Sequence, residues 1–119
     1  MRRMLIVDDE RDICDCLEQY FGARGFAVVS VFSGEEALER LKAESADVIL
    51  LDILLPGLSG IEILRRVKET DPCVRVIMVT GIDEADLRRK ARTYGAVAYV
   101  TKPFDFSDTT WAPVFAHPA

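Results

Sequence analysis

One aspartate stands inside an almost unbroken apolar run. The stretch VILLDILLPG, residues 48–57, places Asp52 between four apolar residues and three more. An ionised carboxylate in such a run costs several kcal/mol unless another group compensates its charge. Asp52 therefore needs a partner from elsewhere in the chain. Four other polar side chains end apolar runs: Asp8, Asp9, Thr80 and Lys102.

The acidic members of this set predict a cation site. If their runs are neighbouring strands of a parallel sheet, Asp8, Asp9 and Asp52 converge. At an effective dielectric of 20, two like charges at about 4 Å repel by roughly 4 kcal/mol. Either a proton is retained or a cation binds among the three carboxylates. Hard oxygen ligands with positions left open favour Mg²⁺.

The remaining two side chains predict what else could bind there. Lys102 supplies a fixed positive charge, and Thr80 supplies a hydroxyl donor. A cation, an ammonium and a hydroxyl around one point are suited to holding a phosphoryl group. One of the carboxylates could then be the nucleophile that receives it.

The hydrophobic period alternates between strand-like and helix-like segments, which determines where these residues lie. Helices are predicted over 10–22, from a capping box at Ser33, from a second at Ser59 to Asp71, and over 84–94 with Asp83 as the cap. Strands are predicted over 3–7, 26–31, 47–53, 74–80 and 96–100.

Five apolar strands that alternate with helices predict an α/β fold, a five-stranded parallel sheet with helices on both faces. In open sheets of this kind, ligands bind beyond the carboxyl ends of the strands, where the strand order reverses. The candidate residues stand at those ends.

The C-terminal segment departs from the rhythm. FDFSDTTWAPVFAHPA contains Pro113 and Pro118, so the last helix is predicted to be short, irregular or absent, with at most two turns over 104–112. We divide the chain into a domain over 1–106 and an atypical tail over 107–119. His117 is interpreted as an exposed tail residue. The tail aromatics either cover the sheet, contact another chain or mark a truncated end: Phe104, Phe106, Trp111 and Phe115.

Composition limits the function classes. The chain has 119 residues, no apolar run long enough to span a bilayer and a net charge of −5, which argues against nucleic-acid or membrane binding by this domain. The N-terminus does not resemble a signal peptide, and a cytoplasmic location is expected. The three cysteines, Cys14, Cys16 and Cys73, are interpreted as small apolar core residues in a reducing compartment.

Four segments together resemble the receiver domain of two-component response regulators: VDDE at 7–10, LLDILLPGLSG at 50–60, VTG at 79–81 and YVTKPF at 99–104. The resemblance runs from residue 3 to about 106. It implies a flavodoxin-like fold with strand order 2-1-3-4-5. It also implies an aspartyl-phosphate signalling domain that phosphorylates and dephosphorylates itself rather than a turnover enzyme.

The resemblance assigns roles to individual residues. Asp52 is the phosphoacceptor, and Mg²⁺ binds to Asp8, Asp9, Asp52 and the backbone carbonyl of Leu54. Thr80 and Lys102 contact the phosphoryl oxygens, and Tyr99 swings inward when Thr80 moves. Pro103 stands where the family often has a cis peptide bond. Gly81 replaces a common alanine and should leave the phosphoryl site open to donors and water.

The implied partner is a histidine kinase or phosphotransfer protein of a phosphorelay, and a homodimer is possible. The basic cluster Arg88, Arg89, Lys90 and Arg92 is a solvated helix face or a partner surface. Two alternatives remain open. One is an aspartyl-phosphate phosphatase of the haloacid dehalogenase type, which places its nucleophile after the first strand as D-x-D. The other is a pseudo-receiver that serves only as an interaction module.

Overall fold

A computed structural model describes residues 2–116 of the chain. The strands are β1 (Arg2–Val7), β2 (Phe26–Val31), β3 (Val48–Leu51), β4 (Arg75–Thr80) and β5 (Ala98–Thr101). The helices are α1 (Arg11–Gly22), α2 (Gly34–Ala43), α3 (Gly60–Thr70), α4 (Ala85–Thr93) and α5 (Asp108–Phe115). Strands and helices alternate throughout, as the sequence predicts.

The five strands form one parallel sheet in the order β2-β1-β3-β4-β5, which confirms the predicted topology. The order reverses at β1, whose last residue, Val7, is in register with Leu51 of β3. Asp8 and Asp52 follow these two partners directly, so the register alone makes them neighbours. At the other side, Thr80 pairs with Thr101, which precedes Lys102.

Both faces of the sheet are covered by helices. Alternate strand residues such as Leu5 and Ile49 lie under α2, α3 and α4, whereas Met4 and Leu50 lie under α1 and α5. Because strand side chains alternate between the two faces, a continuous apolar run is what a strand buried on both sides requires.

Serine caps begin three of the helices. The Ser33 hydroxyl accepts a hydrogen bond from the Glu36 amide, and the Ser59 hydroxyl accepts one from the Glu62 amide. A capping box also predicts that the glutamate side chain accepts a hydrogen bond from the backbone amide of the serine, and neither helix makes this contact. Glu36 instead contacts the Ser33 hydroxyl at 3.3 Å, and Glu62 pairs with arginines one turn further along α3.

The predicted cap of α4 is wrong. Glu84, not Asp83, occupies the N-cap position, and its side chain makes no capping hydrogen bond. The Asp83 carboxylate instead accepts a hydrogen bond from Arg88 Nε at 2.7 Å. An ion pair with a nearby arginine has replaced the helix cap.

The final helix is short, as predicted, but it lies later than the predicted segment over 104–112. It begins after Ser107 and contains Pro113. Trp111 is fully buried against Phe21 and Phe104, and the Phe106 ring stacks on Tyr20 at 4.4 Å between centroids. Within the described residues, the tail therefore covers its own sheet. His117 lies outside those residues.

The cysteine interpretation is correct for one residue of three. Cys14 is buried in α1, whereas Cys16 and Cys73 are exposed, so the prediction that they fill the core is wrong. Cys16 falls on the outer side of α1, and Cys73 lies in the turn before β4. Among residues 2–116, no helix is both long and apolar enough to cross a membrane.

Candidate functional site

Two buried carboxylates lie at the point where the strand order reverses. Asp8 is 2% exposed and Asp52 is 4% exposed. The backbone amide of Asp52 donates to the carbonyl of Val7 at 3.0 Å, which continues the β1–β3 ladder one residue past the strand. The predicted convergence of Asp8 and Asp52 is therefore a direct result of strand register.

Lys102 provides the compensating charge that Asp52 needs. Its Nζ lies 3.0 Å from Asp52 Oδ2 and 2.8 Å from Asp8 Oδ2. The side chain of Lys102 is only 12% exposed, so the ammonium is held within the site. The Lys102 amide donates to the carbonyl of Thr80 at 2.8 Å, which fixes the start of this loop against β4.

A third carboxylate in the cluster was not predicted from the sequence. Glu10 Oε1 lies 2.9 Å from Lys102 Nζ, and carboxylate oxygens of Asp8, Glu10 and Asp52 lie within 4.8 Å of one another. Asp9 is exposed and is not part of this group. The sequence could have indicated Glu10 as a candidate, since it directly follows the two aspartates in VDDE.

The electrostatics of the cluster are set by burial and by pairing. Burial opposes the charge on Lys102, but hydrogen bonds to Asp8, Glu10 and Asp52 outweigh it and raise the pKa of the ammonium. Burial also raises the pKa of Asp8, with Lys102 and the Glu10 amide acting in the opposite direction. Lys102 remains charged at neutral pH.

The donor set fits a divalent cation. Three carboxylates share one ammonium, so two negative charges remain uncompensated if all three are ionised. Asp8 Oδ2 is buried and accepts no hydrogen bond of regular geometry, although Lys102 is close. Carboxylate oxygens are the ligands that Mg²⁺ prefers. A buried carboxylate oxygen without a well-placed hydrogen-bond donor is suited to bind such a cation.

Thr80 and Tyr99 both contact the residue Ile82. Thr80 is fully buried at the end of β4, and its hydroxyl oxygen accepts a hydrogen bond from the Ile82 amide at 3.4 Å. The Tyr99 hydroxyl donates to the Ile82 carbonyl, and Arg88 lies over the Tyr99 ring. Ile82 therefore connects the predicted switch residues through its two backbone groups.

The loop that follows β3 is held by backbone contacts. The Leu54 amide donates to Asp52 Oδ1 at 3.3 Å, and the Leu54 side chain is exposed. A Cβ atom on Gly60 would lie 1.9 Å from the Asp52 carbonyl oxygen, so α3 can begin this close to Asp52 only with glycine. A Cβ on Gly81 would meet no atom within 4 Å, so the space beside Thr80 is open.

The peptide bond between Lys102 and Pro103 is cis, as the resemblance implies.

The basic cluster of α4 is mostly solvated. Arg88 pairs with Asp83, Arg89 pairs with Asp86, and Lys90 and Arg92 are exposed.

The sequence matches the family described as response regulator receiver domain over residues 4–111. It is 37% identical over 106 residues to Sporulation initiation phosphotransferase F of Bacillus subtilis, covering 89% of this chain and 86% of that protein. It is 39% identical to Regulatory protein VanR of Enterococcus faecium, covering 86% of this chain but 44% of VanR. The chain therefore spans less than half of this regulator.

Solved structures give the same assignment. A CheY-like receiver domain protein from Methanospirillum hungatei superimposes with a TM-score of 0.85 at 32% identity, covering 88% of this chain and 84% of that one. A response regulator from Burkholderia pseudomallei, described with a phosphorylated aspartic acid, a calcium ion and citrate, gives 0.86 at 26% identity, with coverage of 94% and 66%. The chain belongs to the receiver domain family of two-component response regulators. The matched family is the receiver domain and not the haloacid dehalogenase alternative.

Proposed function

We propose that this domain accepts a phosphoryl group on Asp52 from a phosphohistidine of a histidine kinase or phosphotransfer protein. The observation that carries the proposal is the position of Asp52. It is a buried carboxylate at the switch point of the sheet, within 3.0 Å of Lys102 and adjacent to a second buried acid. Buried charges with this pairing are concentrated at functional sites.

The transfer is an in-line displacement at phosphorus. A carboxylate oxygen of Asp52 forms the new P–O bond while the P–N bond of the donor breaks, and the bonding electrons return to the imidazole nitrogen. Lys102 donates hydrogen bonds to a phosphoryl oxygen, and the Thr80 hydroxyl donates to another. Lys102 is already beside Asp52, whereas the Thr80 hydroxyl must turn from the Ile82 amide to make its contact.

Asp8, Asp9, Asp52 and the backbone carbonyl of Leu54 would hold Mg²⁺. When bound, the ion supplies positive charge that offsets the charge on the phosphoryl oxygens. The buried, poorly satisfied Asp8 Oδ2 supports this donor set. Asp9 is exposed and outside the trio, so its contribution requires either a rotamer change or a bound water.

Phosphorylation would change the contacts of Thr80. If its hydroxyl turns toward the phosphoryl group, the Ile82 amide loses its acceptor. The segment after β4 is then free to shift. The Tyr99 hydroxyl either loses its hydrogen bond to the Ile82 carbonyl or moves together with that carbonyl. This is a local charge change that biases a two-state element.

Loss of the phosphoryl group would use the open side of the site. Since Gly81 leaves the space beside Thr80 empty, water can reach phosphorus, and hydrolysis releases inorganic phosphate and restores Asp52. The receiver unit would extend over 1–106, followed by the tail over 107–119, of which Trp111 and Val114 pack on one face of the sheet. Homodimer formation remains part of the proposal.

The experiment is intact-mass spectrometry after incubation with acetyl phosphate and Mg²⁺. Wild type should gain the mass of one phosphoryl group, and Asp52→Asn should gain none. No gain in either protein, with retained folding, would favour the pseudo-receiver alternative. A gain of equal size in both proteins would place the acceptor at another residue.

A further inference from the structure

Glu10 has a side chain that its own helix does not use. It occupies the N-cap position of α1, where a carboxylate can accept from the first free amides, yet it makes no side-chain capping hydrogen bond. Its carboxylate instead contacts Lys102 Nζ at 2.9 Å, across 92 positions of sequence. Glutamate is not among the residues preferred at the N-cap position, so its carboxylate is free to contact a residue far away in the sequence.

The three acids around Lys102 differ in exposure. Asp8 and Asp52 are buried, whereas the Glu10 side chain is 59% exposed. Glu10 therefore holds Lys102 from the solvent side of the cluster, and the two aspartates hold it from the protein side. The ammonium is shared between an inner and an outer acceptor.

This division matters when a divalent cation enters. A cation that takes oxygens of Asp8 and Asp52 repels the ammonium and removes two of its three acceptors. An ammonium that is largely buried and has lost its partners is costly. Glu10 is the acceptor that remains, and it lies where Lys102 can stay near the site without competing for the aspartates.

We propose that Glu10 is a positioning residue that takes over Lys102 when a divalent cation binds to Asp8 and Asp52. The inference rests on the proposed function, since it concerns the same cation. It adds that cation affinity depends on Glu10 through Lys102 and not through direct coordination. Lys102 is then retained beside Asp52, ready to contact the phosphoryl group.

The test is a double-mutant cycle on Mg²⁺ binding measured by isothermal titration calorimetry without phosphodonor. The four proteins are wild type, Glu10→Gln, Lys102→Met and the double variant. Asp12→Asn serves as the matched control, because Asp12 is an exposed acid in the first turn of α1 that is outside the cluster. Circular dichroism checks that each variant is folded.

Glu10→Gln should weaken Mg²⁺ binding by about fivefold or more in the wild-type background, beyond the small loss from Asp12→Asn, because Lys102 without its outer acceptor stays on Asp8 and Asp52 and opposes the cation there. In the Lys102→Met background, the same substitution should cost no more than Asp12→Asn does. Such a difference is the coupling that action through Lys102 requires.

Two results would overturn the inference. An equal loss from Glu10→Gln in both backgrounds would mean that Glu10 acts on the cation itself. No loss in the wild-type background would mean that Lys102 needs no outer acceptor. Absence of Mg²⁺ binding by folded wild type is a different outcome, because it would contradict the proposed function as a whole.

Discussion

Lys102 and Asp52 are 50 positions apart in the chain and 3.0 Å apart in space, and this pair gives the buried aspartate its compensating charge. The contact exists because β3 and β5 both end at the same edge of the sheet, with β4 between them. Lys102 also contacts Asp8 and Glu10, so it belongs to a shared cluster and not to an isolated ion pair.

The cluster predicts a stability effect for Asp52→Asn. In the absence of divalent cations, the substitution removes two like-charge repulsions and one attraction to Lys102, and Lys102 keeps two other acids. We expect the metal-free variant to be more stable than wild type by about 1 kcal/mol after solvent screening.

Urea unfolding in EDTA measures this difference. Addition of millimolar Mg²⁺ should then stabilise wild type more than the variant, by mass action on the folded state. A metal-free variant that is less stable than wild type would show that the Lys102 contact outweighs the repulsion among the acids.

The approach of α3 to Asp52 predicts a severe effect for Gly60→Ala. The added methyl would lie 1.9 Å from the Asp52 carbonyl oxygen, so the loop or the helix must move. We expect a loss of about 3 kcal/mol or more in the free energy of unfolding, together with slower phosphorylation.

Gly22→Ala is the matched control, since a Cβ on Gly22 meets no atom within 4 Å and the residue is helical. That variant should be as stable as wild type or gain up to about 1 kcal/mol from helix propensity. Equal stability of the two variants in thermal melts would contradict the close packing of α3 on Asp52.

The tail contributes Trp111 to the core, which predicts a large loss of stability when this side chain is removed. Trp111 is fully buried and its indole N–H donates to the Asp105 carbonyl. Trp111→Ala should destabilise the domain by about 3–5 kcal/mol. Phe106→Ala, at a residue that is 41% exposed, should cost much less. Urea unfolding followed by circular dichroism compares them, and a small loss for Trp111→Ala would mean that the tail does not cover the sheet in solution.

The ion pairs of α3 predict a pH dependence. Hydrogen bonds from Arg65 and then Arg66 lower the pKa of Glu62 from 4.5 to about 2. A carboxylate with a lowered folded-state pKa contributes stability above its unfolded pKa and loses it as pH falls through the folded pKa. The advantage of wild type over Glu62→Gln should therefore be present at pH 7 and shrink between pH 4.5 and pH 2. A constant difference in urea midpoints over that range would contradict this assignment.

Much of the fold was predictable because its signals are local. Each strand is an apolar run, which a polar residue ends in four of the five cases. Every turn except the one after β1 carries serine, glycine or proline. Asp83 failed as a cap because Arg88, one turn along the chain, competes for its carboxylate. The start of α5 was misplaced although a local signal marks it, since the Ser107 hydroxyl caps this helix by accepting a hydrogen bond from the Thr110 amide.

The residue types of the site were predictable from the sequence, whereas the positions of their side chains were less so. Apolar context singled out Asp52, and its position after β3 made Asp8 its neighbour. Whether Asp9 or Glu10 points into the cluster depends on the backbone direction as the chain enters α1. In this structure Glu10 does so, and Asp9 faces solvent.

The central claim is that Asp52, among four neighbouring acids, is the one that receives the phosphoryl group. The most direct measurement is peptide mapping by mass spectrometry after acetyl phosphate treatment with Mg²⁺ and borohydride reduction, which converts an acyl phosphate into an alcohol at the acceptor residue. We expect the reduced residue at position 52 and at no other acid. Reduction at Asp8, Asp9 or Glu10, or none at all in a folded protein, would contradict the account.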